Sequence, residues 1–97
     1  MTAYVINDML VTDAVIFDEY RKLSPPTVAQ YGGRFLARGG ATKTLEGNWL
    51  PKRLVVVEFP SVERAQAWID SPEYAVARKL RQASSNSNII VIEGAAP

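Results

Sequence analysis

One pattern of punctuation occurs twice in this chain and limits its fold more than any other feature. Asp13, Tyr20 and Ser24-Pro25 in the first half answer to Ser61, Trp68 and Ser71-Pro72 in the second, at an offset of 47 to 48 residues. Each set follows one apolar, β-branched run and precedes another. Asp and Ser are favoured N-caps, and proline interrupts a helix because it lacks an N–H and crowds the preceding turn. Each half therefore reads as a split strand–helix–strand unit with a broken helix, and two such units in tandem give β-α-β-β-α-β. The echo is structural rather than literal, since few residue identities repeat.

The individual elements support this order. The run AYVINDMLV, residues 3–11, carries Tyr4, Ile6 and Leu10 on one face and Val5, Met9 and Val11 on the other. Asp13 caps a helix through Leu23, with Ile16, Tyr20 and Leu23 on one stripe and Phe17 at its flank. Ser24-Pro25-Pro26 is expected to break that helix, and Ser24 is placed to cap a second segment with Pro25 at its first position. Gly32 and Gly33 suit a left-handed cap after Tyr31. RFLARGG (34–40) and RLVVVEF (53–59) are the second and third strands, joined by a hairpin turning near EGNW, 46–49. Ser61 caps a helix with Glu63 in its first turn and Ala65, Trp68 and Ile69 on its buried stripe. After the second break a helix runs from Glu73 to about Gln82, then SSNSN forms a polar loop and IIVIEG the last strand.

At 97 residues this is one domain, covering 1–97. The expected class is α+β, a four-stranded antiparallel sheet with both broken helices on one face, which is ferredoxin-like topology. The strands are apolar on both faces, and an open apolar sheet face is a large exposed patch. A second copy related by a two-fold axis covers it most economically, so a homodimer with its sheets paired into a barrel is expected.

Composition narrows the chemistry. The chain has no His and no Cys, which removes Ser-His and Cys-His nucleophiles, thiol redox chemistry, disulfides and the usual zinc sites. No metal and no cofactor are expected. Catalysis would rest on carboxylates, Tyr, Lys, Arg or backbone groups, with carboxylates or Lys needing strongly shifted pKa values near neutrality. The formal net charge is +1 with scattered Lys and Arg, so there is no field to draw nucleic acid or an anionic membrane. The start of the chain, MTAYVINDMLV, has neither a basic leader nor a small-residue cleavage site, and a cytoplasmic location is expected.

Arg38-Gly39-Gly40 invites a reading as a phosphate loop. Such loops lead from a strand into a helix N-terminus, whereas this glycine pair leads into a hairpin, with neither Gly-Lys-Ser/Thr nor GxGxxG. The glycines read instead as geometry, a bend, bulge or close approach. Arg38 is a separate matter. By strand alternation it shares a face with Leu36 and Arg34, opposite Phe35 and Ala37, and Asp8 and Glu58 are the acids at mid-strand positions. An Arg joined to either is a structural ion pair or the polar floor of a ligand pocket. Tyr20 and Trp68 are core by their spacing, or walls of that pocket with Tyr4, Tyr31, Trp49 and Tyr74. Arg38, Asp8, Tyr20, Glu58 and Trp68 are the candidate ligand-binding set, and a small molecule the candidate partner. NWLPKRL interleaves aromatic and basic residues as single-strand binders do, but nothing else here supports nucleic acid. RKLRQ, 78–82, reads as a solvated helix face.

EYRKLSPPTVAQYGGRFLARGG, LEGNWLPKRLVVVEFPSVERAQAWIDSPEY and LRQASSNSNIIVIEG together resemble the domain-of-unknown-function 1330 family, within the dimeric α+β barrel superfamily. The resemblance runs from Tyr4 to Gly94. It implies the ferredoxin-like fold and the barrel-forming homodimer, and no settled activity. The superfamily is similar in fold to cofactor-independent monooxygenases, muconolactone isomerase, haem-degrading and chlorite-splitting enzymes, and ligand-sensing domains of transcription regulators. Its haem enzymes bind iron through histidine, which this chain lacks. An oxygenase or isomerase acting on a small aromatic or lactone substrate is the alternative to a binding protein, and a purely structural or interaction role is a third.

Overall fold

β-branched residues build the two central strands of the sheet. In the computed structural model, which describes residues 1–96, β1 (Ala3–Val11) lies between β3 (Leu54–Phe59) and β4 (Ser85–Glu93), and β2 (Arg34–Arg38) closes the far edge. The order β2-β3-β1-β4, antiparallel throughout, is the ferredoxin-like arrangement expected from the repeated half-motif. Pairing Val5 with Val57 and Asn7 with Val55 puts Val5, Asn7, Met9, Val55, Val57 and Phe59 on one face. These side chains are all buried. Tyr4, Ile6, Asp8, Leu54, Val56 and Glu58 alternate with them onto the opposite, open face.

Three helices cover the buried face: α1 (Ala14–Gln30), α2 (Val62–Ile69) and α3 (Ala75–Ser84). Asp13 caps α1 by accepting from the Val15 and Ile16 amides at 3.1 and 3.0 Å, and Ser61 caps α2 through the Arg64 amide at 3.1 Å. Phe17, Tyr20 and Val28 from α1 meet Ala65 and Trp68 from α2 and Ala77 from α3 in a single core. Each large apolar side chain so buried contributes about 1.5–3 kcal/mol.

The first expected break does not occur. α1 runs unbroken through Pro25 and Pro26 and ends at the second expected site, where Gly32 takes φ 79° and the Gly32 and Gly33 amides close onto Ala29 and Val28. The prolines remove the N–H partners of the Arg21 and Lys22 carbonyls, but both of those residues are exposed. The Arg21 carbonyl takes a replacement donor, Arg38 Nη2, at 2.9 Å. The buried stripe accordingly continues through Ser24, Thr27 and Val28, while Leu23 is 44% exposed and lies off it. The second break does occur. Buried Ser71 accepts from the Tyr74 amide at 3.1 Å and donates to the Trp68 carbonyl at 2.7 Å, so one hydroxyl ends α2 and turns the chain toward α3.

Two further expectations change. SSNSN is not a loop: Ser85, Asn86, Ser87 and Asn88 pair in register with Val11, Leu10, Met9 and Asp8 as the first half of β4. A polar run satisfies its backbone in a ladder as well as an apolar one does. RKLRQ is not wholly solvated either, because Arg81 lies on the buried side of α3 with Ala77 and Ser84.

Candidate functional site

A β-bulge decides where Arg38 goes. Phe35 pairs with Val57, but the register shifts before Ala37, so that Arg38 sits opposite Val55. Val55 and Val57 share the helix-covered face, and the extra residue in β2 therefore brings Arg38 to the same side as Phe35. Simple alternation had put these two on opposite faces. The guanidinium lies 4.7 Å from the centre of the Phe35 ring while donating to the Arg21 carbonyl, which ties the end of β2 to α1.

Gly39 prepares the next step. It has φ 70°, and a Cβ there would collide with the Arg53 guanidinium, so the missing side chain is what lets Arg53 lie across the end of β2. Gly40, by contrast, has open space around it. Arg53 precedes β3 on the helix side, where its guanidinium lies 5.5 Å from the Phe17 ring centre. Burial pulls its pKa down, and the charges of Arg21 and Arg38 pull it down further. Its Nε is buried without a hydrogen-bond partner.

These residues frame a cavity between sheet and helices with a volume of about 30 Å³. Arg21, Arg38 and Arg53 stand at its polar side, and Tyr20, Trp68 and Asn7 line it among apolar neighbours. Asn7 is 7% exposed, and its Oδ1 accepts no hydrogen bond. Trp68 donates to Thr27 Oγ1 at 3.0 Å, and the Thr27 hydroxyl donates to the Ser24 carbonyl at 2.7 Å. The Tyr20 and Tyr74 hydroxyls meet at 2.9 Å. Burial raises the Tyr74 pKa strongly, with the Tyr20 contact adding to it and Arg81 opposing it, so this phenol stays neutral.

Of the five expected ligand-binding residues, Tyr20, Arg38 and Trp68 come together at this cavity. Asp8 and Glu58 do not, because both side chains project from the open face. Neither pairs with Arg38. Glu58 takes Arg34 as its partner, Oε1 to Nε at 2.9 Å. Asp8 holds the loop between β2 and β3: Oδ2 accepts from Trp49 Nε1 at 3.0 Å and Oδ1 from the Lys52 amide at 2.9 Å. The indole bond is the main reason that its pKa falls below the usual value of 3.8. Trp49 thus belongs to the open face, Tyr4 faces it as well, and Tyr31 donates outward to Glu73 at 3.1 Å. Asn7, Arg21 and Arg53 were missing from the expected set. An arginine after a loop and an asparagine in a strand have no sequence signature, and they come to one place only when β1, β3 and α1 pack together.

Residues 2–95 match the family described as "Domain of unknown function (DUF1330)". The chain belongs to that family. No curated protein matches it in sequence. Among solved structures it is similar to a protein of unknown function from Rhodopseudomonas palustris, with TM-score 0.79 and 23% identity over 99% of this chain and 84% of that one. A dimeric ferredoxin-like protein of unknown function from Jannaschia sp. CCS1 superposes with TM-score 0.70 and 12% identity, over 97% of this chain and 100% of that one. SnoaB, a cofactor-independent oxygenase from Streptomyces nogalater, superposes with TM-score 0.66 and 13% identity, over 99% and 95%. At these identities the likeness is one of fold.

Proposed function

We propose that this member of the DUF1330 family is a homodimeric binding protein, holding one small molecule per subunit in the cavity beneath Arg38. The observation that carries the ligand reading is the cavity itself. It combines aromatic walls, a buried amide oxygen without a donor and guanidinium groups at its rim, the mixture of apolar surface and few polar groups that binding pockets use. The dimer reading rests on the open face, where Leu10 and Leu36 are each 47% exposed, Ile92 52% and Ile90 60%. The solved relative described as dimeric lends it support.

Oxygenation or isomerisation of an aromatic or lactone substrate draws only on likeness of fold, to SnoaB and to proteins described as antibiotic biosynthesis monooxygenases. Binding without assigned catalysis is therefore the reading favoured by the geometry. A thermal-shift series of small carboxylates and phenols tests it. Saturable stabilisation is expected, lost in a folded Arg38→Ala variant and retained in Arg34→Ala, whose side chain sits on the opposite face with Glu58. Failure of every compound to stabilise the wild-type protein would remove the ligand reading.

A further inference from the structure

The polar side of the cavity is unbalanced in charge. Arg21, Arg38 and Arg53 line it, and no Asp or Glu does. Among the described residues, neither Arg38 nor Arg53 pairs with a carboxylate, while Arg21 has only an exposed Asp18 at 3.7 Å. A guanidinium carries five N–H donors. Arg38 spends one of them on the Arg21 carbonyl, and Arg53 keeps a buried Nε unpaired. Bringing three cations together around a partly buried space is unfavourable unless an anion sits among them. A planar carboxylate matches the guanidinium fork, taking two parallel hydrogen bonds from one arginine.

The second polar feature lies deeper. Asn7 and Arg38 both stand opposite Val55, in one row across β1, β3 and β2, so their backbones are two strand spacings apart, roughly 10 Å. Asn7 Oδ1 is buried and needs a donor. A bare alkyl carboxylate supplies none, whereas a hydroxyl on the same short carbon skeleton does. The remaining lining, Val5, Phe17, Val28 and Val57 among it, offers only apolar contact. At about 30 Å³ the cavity has room for roughly two water molecules. Ligand entry therefore requires the exposed Arg21 and Arg38 side chains to swing outward, and only small molecules fit.

We infer that the pocket takes a short-chain hydroxy acid, its carboxylate held among Arg21, Arg38 and Arg53 and its hydroxyl donating to Asn7 Oδ1. The inference rests on the pocket reading above and narrows it to one chemical class. Titration calorimetry on the whole protein with glycolate, acetate, glycolamide and phenol separates the two. Glycolate binds best, acetate more weakly for want of the hydroxyl, and glycolamide without measurable heat for want of the charge. Arg53→Met, which keeps the stem and removes the charge, weakens glycolate about ten- to a hundredfold. Asn7→Leu brings glycolate down to the affinity of acetate, and Arg34→Met on the open face changes nothing. Circular dichroism establishes that each variant is folded. If glycolamide or phenol binds as well as glycolate, the acid assignment is wrong and the pocket stands. If none of the four binds, both fall.

Discussion

Arg38 shows how one side chain compensates for a helix that tolerates a proline. Pro25 leaves the Arg21 carbonyl without its N–H donor, and the guanidinium fills that vacancy at 2.9 Å. Such a bond to a charged donor contributes about 1.5 kcal/mol, less here because the site faces water. Arg38→Ala should lower stability by about 1 kcal/mol. Placing Ala at 25 restores an N–H to the same carbonyl, and in a Pro25→Ala background the Arg38→Ala loss should shrink by half or more. Urea denaturation of the four proteins measures this coupling; strictly additive effects would show that the two residues act independently. The proline pair was visible in the sequence, but not its outcome. Whether a carbonyl freed by proline ends a helix depends on who else can donate to it, and here the donor lies on β2, brought there by a bulge.

Among the elements, the loop between β2 and β3 is fastened to the sheet through one β1 carboxylate, that of Asp8. Asp8 accepts from both Trp49 and Lys52, and the Thr44 hydroxyl donates to the Trp49 carbonyl at 2.8 Å. Asp8→Ala should release the loop, seen as tryptic cleavage at Lys43 and Lys52 several-fold faster with the core intact. The same contact sets a pH dependence. Hydrogen bonds depress the Asp8 pKa in the folded chain, so its anchoring is fully present above the usual 3.8 and fades as pH falls through the lower folded value. The Lys52 amide proton should report that titration by NMR with a midpoint below 3.8. A midpoint at or above it would contradict the geometry. The sequence places the hairpin turn near residues 46–49, and Gly47 bends there with φ 88°. That Asp8 would clasp the loop, rather than pair with Arg38, required knowing which face each side chain occupies.

At the scale of the whole molecule, the open sheet face governs behaviour. Its centre carries Ile6, Val56 and Ile90, and its loop adds Leu45 and Leu50, 85% and 66% exposed. Loop and sheet together frame a concavity of about 430 Å³ on that side, lined by Leu45, Trp49 and Leu54. Apolar surface of this extent favours association through the hydrophobic effect, and a closed two-fold pair covers it on both copies at once. Light scattering on a sizing column should give twice the chain mass at micromolar concentration. Ile90→Asp, at a site 60% exposed in the single chain, should shift that to the monomer without unfolding it. An unchanged elution with Ile90→Asp would place the contact elsewhere, and a monomeric wild type would remove the dimer.

Local chemistry, read along the chain, was enough to determine the order of strands and helices, the Asp13 and Ser61 caps, the Ser71 break, the Gly32 cap and the two-faced apolar strands. Each depends on a residue and its near neighbours: a hydroxyl that accepts from an amide three positions on, a glycine that adopts positive φ, a side chain that alternates along a strand. Only the tertiary structure decided that α1 passes through its prolines, that residues 85–88 are strand, and that Arg38 faces the helices. All three outcomes turn on hydrogen-bond partners from distant segments, the Arg38 guanidinium for the first, the β1 ladder for the second and the shifted β3 register for the third. The cavity belongs with them, because Asn7, Arg38 and Arg53 come from three different strands or their ends and meet only when the sheet is assembled.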